Sequence, residues 1–207
     1  KSPLRRAPTF TRWVSPVDGV CGEITTRVSG PPTSWARRRM PCTVAATAEK
    51  GNYPVCTFSW KGELKEYIPS IVAARGDSLF FGWEAAELLH DPDVFLLRSM
   101  KRLTQELRPE DPVEISPRVS LPLLDLMTRF FRHVQEMLAG NSNLPRKKLR
   151  SMEVMVATPA NASSNQRYMT LEAFRRAGFR VLGAMNEPSA AAVEFAHRYL
   201  GNLGTKS

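Results

Sequence analysis

Two stretches near the carboxyl end of the chain contain residues that could bind a phosphate group. Residues 158–160 (Thr-Pro-Ala) and 185–188 (Met-Asn-Glu-Pro) each follow an apolar run that predicts a strand, and each precedes a segment that predicts a helix. Ligands of α/β sheets bind beyond the carboxyl ends of the strands, and free N–H groups at a helix start attract anions. Both stretches are therefore candidate phosphate-facing loops, and neither is diagnostic by its spacing alone.

Signatures of other catalytic and metal sites are missing from the 207 residues. The sequence contains no P-loop, no Gly-x-Gly-x-x-Gly dinucleotide fingerprint and no Gly-x-Ser-x-Gly nucleophile elbow. The cysteines and histidines are Cys21, Cys42, Cys56, His90, His133 and His197. No two of them have the spacing of a zinc site, so we expect unpaired thiols in a reducing compartment and no direct metal site.

The basic charge of the chain is concentrated at its amino end. The net charge is +9, and residues 1–41 hold eight Lys or Arg against only Asp18 and Glu23. The same stretch contains six of the sixteen prolines and no lasting apolar periodicity, which predicts a disordered or aberrant Pro/Arg-rich segment. A transit peptide, a nucleic-acid-binding arm and sequence foreign to the fold are alternative interpretations of it. No apolar run approaches eighteen residues, so we expect no membrane span.

The middle of the chain predicts strands before helices. Residues 42–47 and 55–60 are β-prone, and the turn residues between them predict a hairpin. A second hairpin is predicted around the Gly76 turn, between the runs 70–74 and 79–82. The order of these elements places a small antiparallel unit ahead of the helical part.

The helical predictions follow directly. A short helix is predicted at 83–89, and Pro92 predicts the start of another that runs through Met100. Residues 111–119 read as extended. The clearest amphipathic helix covers 123–138, where apolar residues recur at steps of four and three.

The last sixty residues alternate between strand and helix. A strand is predicted at 152–158, and Ser163 with Gln166 forms a capping box that predicts the next helix start. A second strand is predicted at 179–185, and Pro188 suits the first turn of another helix. This β-α-β-α order predicts an α/β fold with parallel strand pairing.

Seven stretches resemble, in order and spacing, the motifs of one protein family. They are 68–72 (Ile-Pro-Ser-Ile-Val), 81–86 (Phe-Gly-Trp-Glu-Ala-Ala), 91–92 (Asp-Pro), 100–103 (Met-Lys-Arg-Leu), 156–160 (Val-Ala-Thr-Pro-Ala), 165–167 (Asn-Gln-Arg) and 186–192 (Asn-Glu-Pro-Ser-Ala-Ala-Ala). Over roughly residues 42–200, the chain resembles the amino-terminal part of the nucleotide-binding domain of the heat shock protein 70 family, the DnaK-type molecular chaperones.

The resemblance implies an α/β, actin-like ATPase (ribonuclease H-like) fold, of which residues 42–207 would be a partial first lobe. It implies ATP and Mg²⁺ as cofactors and an intact protein that folds other proteins in an ATP-dependent stress response. The implied partners are ATP and ADP, a J-domain co-chaperone, a nucleotide exchange factor and unfolded client peptides. The implied localisation is cytoplasmic, with no membrane association and nucleic acid not expected.

The resemblance also implies roles for four residues. Lys101 would reach the γ-phosphate and the attacking water, and Glu187 would sense the magnesium ion through its water shell. Pro159 and Arg167 would relay the nucleotide state toward the interdomain linker. Structural alternatives stay open, because Lys101 could be a solvated surface lysine and Glu187 an acid favoured at a helix amino end.

The chain departs from the family at both phosphate loops. The family's Asp-x-Gly-Thr-Thr-Asn-Ser loop is replaced by residues 35–41 (Trp-Ala-Arg-Arg-Arg-Met-Pro), and its Asp-x-Gly-Gly-Gly-Thr loop does not follow Leu200. We therefore expect a fragment that lacks the first central strand, leaves a sheet edge uncovered and is inactive or binds nucleotide weakly. The alternatives are a nucleic-acid-binding protein that uses residues 1–41, and another actin-like ATPase.

Overall fold

A computed structural model describes residues 12–15, 41–46, 56–98, 100–144 and 153–189. For 12–15, 41–46 and Lys101 it describes the backbone alone. The strands are β1 (Arg12–Ser15), β2 (Pro41–Ala46), β3 (Phe58–Trp60), β4 (Glu63–Lys65), β5 (Ile68–Pro69), β6 (Val72–Arg75), β7 (Ser78–Phe81), β8 (Phe95–Leu97), β9 (Pro112–Ser116), β10 (Val119–Pro122), β11 (Glu153–Thr158) and β12 (Arg180–Asn186). The helices are α1 (Gly82–Glu87), which a 3-10 turn (Leu88–His90) follows, α2 (Met100–Glu106), α3 (Leu123–Asn141) and α4 (Ser164–Arg176).

The largest sheet has five strands in the order β12-β11-β1-β2-β5. Strands β12, β11 and β1 run parallel, whereas β2 is antiparallel to both β1 and β5. Helix α4 connects β11 to β12 and packs against both. The predicted β-α-β order with parallel pairing is therefore confirmed, and the described residues form a mixed α/β fold.

The prediction that the first central strand is missing is wrong. Arg12–Ser15 lies between β11 and β2, with Val14 paired to Val156 on one side and Val44 on the other. Without a strand between β11 and β2, the facing backbone N–H and C=O groups of both strands would lack hydrogen-bond partners. Strand β1, which contains the β-prone residues Trp13 and Val14, pairs with both of them. Apart from Arg12–Ser15 and Pro41, the residues of the segment 1–41 lie outside the described ranges, so a disordered or aberrant segment, a transit peptide and foreign sequence stay predictions.

The predicted hairpin between 42–47 and 55–60 is also wrong. Strand β2 pairs with β1 and β5, and β3 pairs instead with β4, its next neighbour along the chain. Lys61 and Gly62 form the connecting turn with positive φ angles of 49° and 83°. Two consecutive left-handed residues give the turn whose twist matches that of paired strands, so the tighter local hairpin forms.

The hairpin predicted around Gly76 is confirmed, because β6 and β7 pair antiparallel and Gly76 has a φ of 60°. The helix predicted to start at Pro92 is wrong over its first half. Residues 91–94 form a turn, in which Asp91 Oδ1 accepts from the N–H of Asp93 at 3.0 Å. Strand β8 then pairs with β6, and helix α2 begins only at Met100.

A glycine is required where β7 meets α1. Gly82 has a φ of 60°, and its N–H donates to Ile71 O at 3.1 Å. A Cβ atom at this position would lie 2.9 Å from His133 Nε2 on α3. The close approach of the β7–α1 junction to α3 therefore excludes a side chain at residue 82.

Helix α3 supplies the centre of the main hydrophobic core, as its predicted amphipathic pattern requires. Leu123, Leu126, Val134 and Leu138 are fully buried, while charged residues lie on its exposed side. The ring of Phe131 stacks on the ring of Phe174 from α4, with centroids 3.9 Å apart. This contact joins the α3 layer to the β11-α4-β12 unit. Within the described ranges, no helix has the length and apolar character needed to cross a membrane.

Candidate functional site

The two predicted phosphate-facing loops lie side by side at one edge of the five-stranded sheet. Thr158 at the end of β11 pairs with Asn186 at the end of β12. Because the strands are parallel, Pro159 and Glu187 follow adjacent strand ends. Glu187 is half-buried, and residues 187–189 are helical. The backbone thus places two of the four predicted site residues at the ligand-facing edge of an α/β sheet.

The loop between β11 and α4 is closed by its own hydrogen bonds. The N–H of Ala162 donates to Pro159 O at 3.1 Å, which makes a tight turn directly after the strand. Thr158 is 1% exposed, and its hydroxyl has no hydrogen-bond partner within the described part of the chain. A buried hydroxyl at this strand end is a polar feature that the sequence reasoning did not identify.

The start of α4 has the predicted cap. Ser163 Oγ accepts from the N–H of Gln166 at 3.1 Å. The side chain of Gln166 points inward and is 3% exposed, and its Nε2 donates to Thr104 Oγ1 on α2 at 3.0 Å. The cap therefore positions a buried amide that contacts a second helix.

Arg167 and Pro159 belong to the same small unit. Arg167 Nη2 donates to Ala160 O at 3.4 Å, directly after Pro159. The N–H of Arg167 also donates to Ser163 O at 3.0 Å. The exposed guanidinium thus holds the backbone of the loop that the proline shapes, and the structure brings the two predicted relay residues together.

Helix α2 carries the fourth predicted site residue, Lys101, whose side chain lies outside the described parts. Two hydrogen bonds attach α2 to the first turn of α4. One is the bond between Gln166 and Thr104, and in the other Asn165 Nδ2 donates to Leu107 O at 3.3 Å. The first turn of α4 therefore contacts the helix that carries Lys101 and the residue that follows it.

The sequence reasoning missed the roles of Thr104 and Asn165, although a signal existed. Met100 and Thr104 lie four residues apart on the inner side of α2, where Thr104 is 3% exposed, and Leu107 continues this spacing directly after the helix. A hydroxyl in an apolar stripe needs a hydrogen-bond partner, because its burial without one costs about 1–3 kcal/mol. Its partner, 62 residues away, could not be read from local spacing.

The described side chains do not fit a directly coordinated magnesium ion. No group of three or more His, Cys, Asp or Glu residues in the described ranges is arranged to hold a metal. Hard divalent cations need several oxygen ligands, and Glu187 offers one carboxylate at the strand edge. The described side chains therefore support no chemical step on a directly bound metal ion at this site.

Comparison with known proteins gives one group of chaperones. The chaperone protein HscA of Yersinia enterocolitica is 27% identical over 146 residues, which cover 64% of this chain and 24% of that protein. The HscA homolog of Histophilus somni is 30% identical over 141 residues, covering 62% and 23%. HscA of Proteus mirabilis is 28% identical over 165 residues, covering 73% and 26%.

The chain spans about a quarter of the length of the curated relatives it matches. No family model matches it. The matched relatives are chaperones of the heat shock protein 70 family. Their similarity extends over 62–73% of the chain, so over most of its length this sequence is similar to the heat shock protein 70 family.

Proposed function

We propose that this chain is part of the first lobe of a nucleotide-binding domain with the actin-like ATPase fold. The observation that carries the proposal is the adjacency of the two parallel strand ends, which brings the loops of Pro159 and Glu187 to one sheet edge. Strand ends of this kind form ligand sites in α/β folds. The similarity of the chain to this family makes a nucleotide phosphate the expected ligand.

Each predicted site residue has a role in this proposal. Lys101 would place an ammonium group beside phosphate oxygens and offset the negative charge that develops there. Glu187 would accept hydrogen bonds from water bound around a cation. Pro159 and Arg167, which the Ala160 carbonyl connects, would transmit the state of the site to the adjoining backbone.

By itself, this chain is expected to have little activity toward ATP. The sequence contains neither of the glycine-containing phosphate loops of the family, and phosphoryl transfer depends mainly on positioning and charge stabilisation. We expect this chain to bind magnesium nucleotides weakly and to hydrolyse ATP no faster than the background rate. The intact protein would act as an ATP-dependent chaperone, with a J-domain co-chaperone, a nucleotide exchange factor and unfolded peptides as partners.

Titration calorimetry of the full chain with MgATP and MgADP tests the proposal. We expect a Kd of about 100 μM or weaker, and a further loss of about tenfold in Lys101→Ala, which removes one charge contact. Lys61→Ala is the matched control, since Lys61 pairs with Glu87 at 2.8 Å on the β3–β4 turn. ATP hydrolysis is followed in parallel by phosphate release.

Two results would contradict the proposal. If Lys101→Ala and Lys61→Ala weaken nucleotide binding equally, Lys101 is not part of the binding site. Hydrolysis well above background by the unmodified chain would show that the missing loops are not needed. The alternative of a nucleic-acid-binding arm gains no support, because the described part of residues 1–41 is a strand inside the sheet.

A further inference from the structure

The contact between α2 and α4 includes a buried polar pair within the apolar core. Gln166 and Thr104 are each 3% exposed, and Gln166 Nε2 donates to Thr104 Oγ1 at 3.0 Å. Met100 and Met169, on the same two helices, are buried apolar residues. A hydrogen bond in such surroundings is directional, whereas apolar contacts tolerate sliding and rotation.

Helix α2 needs such a directional contact more than the longer helices do. It has seven residues, and an isolated helix of that length is not stable in water. Its position must therefore come from tertiary contacts. The Gln166–Thr104 bond holds its middle, and the bond from Asn165 Nδ2 to Leu107 O holds the residue that follows its end.

The polar pair also connects the predicted site residues. Thr104 lies three residues after Lys101, which makes the two neighbours on the helix surface. Gln166 is adjacent to Arg167, whose guanidinium donates to Ala160 O in the loop after β11. One turn of α4 therefore contacts both the helix of Lys101 and the loop of Pro159.

We propose that Gln166 is a positioning residue for Lys101, acting through Thr104. The bond sets the rotation of α2 about its axis and couples it to the β11–α4 loop, so that a displacement of that loop moves the lysine. The role assigned to Lys101 rests on the proposed function, whereas the dependence of α2 on Gln166 does not.

Amide hydrogen exchange of the full chain, read by mass spectrometry, tests the dependence of α2. Gln166→Leu and Thr104→Val each remove the side-chain hydrogen bond between α4 and α2, and we expect exchange in residues 101–106 to accelerate about tenfold. Replacing both residues together removes both polar groups, and exchange should return to within about threefold of the unmodified chain. Thr104→Ser retains the hydroxyl and should restore most of the protection.

The matched control is Thr128→Val. Thr128 is 7% exposed, and its hydroxyl donates to Leu124 O at 2.7 Å, so this hydrogen bond lies within α3 and does not join two helices. If Gln166→Leu and Thr104→Val accelerate exchange in 101–106 no more than Thr128→Val does, the proposal is wrong. Asn165→Ala, at an exposed position, provides a variant that retains the fold and should loosen only the end of α2.

A spectroscopic measurement on the lysine separates positioning from general stability. Lysines labelled by reductive ¹³C-methylation give NMR signals, and Lys101→Arg assigns the signal of Lys101. We expect that signal to shift in Gln166→Leu and Thr104→Val and to return in Thr104→Ser, while the Lys61 signal stays unchanged. A Lys101 signal that is the same in all folded variants would overturn the positioning role.

The two proposals fail in different ways. A chain that binds no nucleotide, but whose Lys101 signal and α2 exchange respond to Gln166→Leu, refutes the proposed function and supports the coupling. If nucleotide binding depends on Lys101 but Gln166→Leu changes neither the amide exchange of α2 nor the Lys101 signal, the proposed function is supported and the coupling is refuted.

Discussion

Helix α4 is held by two neighbours in two different ways. Toward α3 it buries apolar rings, with Phe174 fully buried and stacked on Phe131. Toward α2 it makes the hydrogen bond from Gln166 to Thr104. Apolar burial is roughly proportional to area and does not depend on direction, whereas a buried hydrogen bond has one good geometry. The α3 side therefore stabilises α4 by apolar burial, whereas on the α2 side α4 makes a directional contact that fixes its neighbour.

The largest expected effect comes from breaking the apolar side. Phe174→Ala removes a ring that also contacts Phe179 with centroids 5.4 Å apart, and it leaves a cavity between α3 and α4. We expect the free energy of unfolding to fall by about 3–5 kcal/mol, measured by urea denaturation followed by circular dichroism. The matched control is Tyr168→Ala on the same helix, which is 51% exposed and should change stability by less than about 0.5 kcal/mol. Equal losses in both variants would refute the assignment of stability to the α3 side.

A smaller effect is expected from the cap that starts α4 on its polar side. Ser163→Ala removes the acceptor for the N–H of Gln166 and should lower the free energy of unfolding by about 1 kcal/mol. The loss of the cap should also accelerate amide exchange in α2, since it loosens the turn that carries Gln166. Ser164→Ala, at the exposed next position, is the control and should leave both measurements unchanged. If Ser163→Ala leaves the amide exchange rate of α2 unchanged, the cap does not contribute to the coupling between α4 and α2.

The smallest effect at neutral pH is expected at His133, a polar residue on α3 that faces the β7–α1 junction. Its Nε2 is buried without a hydrogen-bond partner in the described part of the chain, and its ring lies 5.9 Å from that of Phe81. Burial lowers the pKa of His133 below its ordinary value of 6.5, and the nearby charge of Glu136 opposes that shift only in part. The unfolded chain therefore binds a proton that the folded chain resists, so stability is complete above pH 6.5 and falls as the pH drops below it.

Replacement of His133 tests this pH dependence. Urea midpoints at pH 7.5 and pH 5.5 should differ less in His133→Phe than in the unmodified chain, because the group that titrates is gone. His90→Gln is the control at an exposed position. A pH dependence in His133→Phe as large as that of the unmodified chain would refute the assignment of this effect to His133.

Much of the fold could be predicted from the sequence where the determinants are local. The cap at Ser163, the turn at Gly76 and the amphipathic helix α3 each depend on residues within one or two turns of each other, and all three are confirmed. The strand partners of β2 were predicted wrongly, because pairing between distant segments depends on which edges the rest of the sheet leaves open. Strand β8 was predicted as part of a helix because its local sequence favours one. Its pairing with β6, a distant segment, determined its structure instead.

The features of the candidate site likewise depend partly on local sequence and partly on tertiary contacts. The sequence by itself determined the motifs that resemble the family and the β-α-β order that brings two strand ends to one edge, because these depend on residue type and on short spacing. The roles of the four site residues, which the resemblance implies, stay predictions. Only the tertiary structure decided that Gln166 meets Thr104, and that Arg12–Ser15 lies in the centre of the sheet. Contacts between residues far apart in the chain form only when the whole core selects them, since every element offers several possible partners and the sum of buried area and satisfied hydrogen bonds chooses among them.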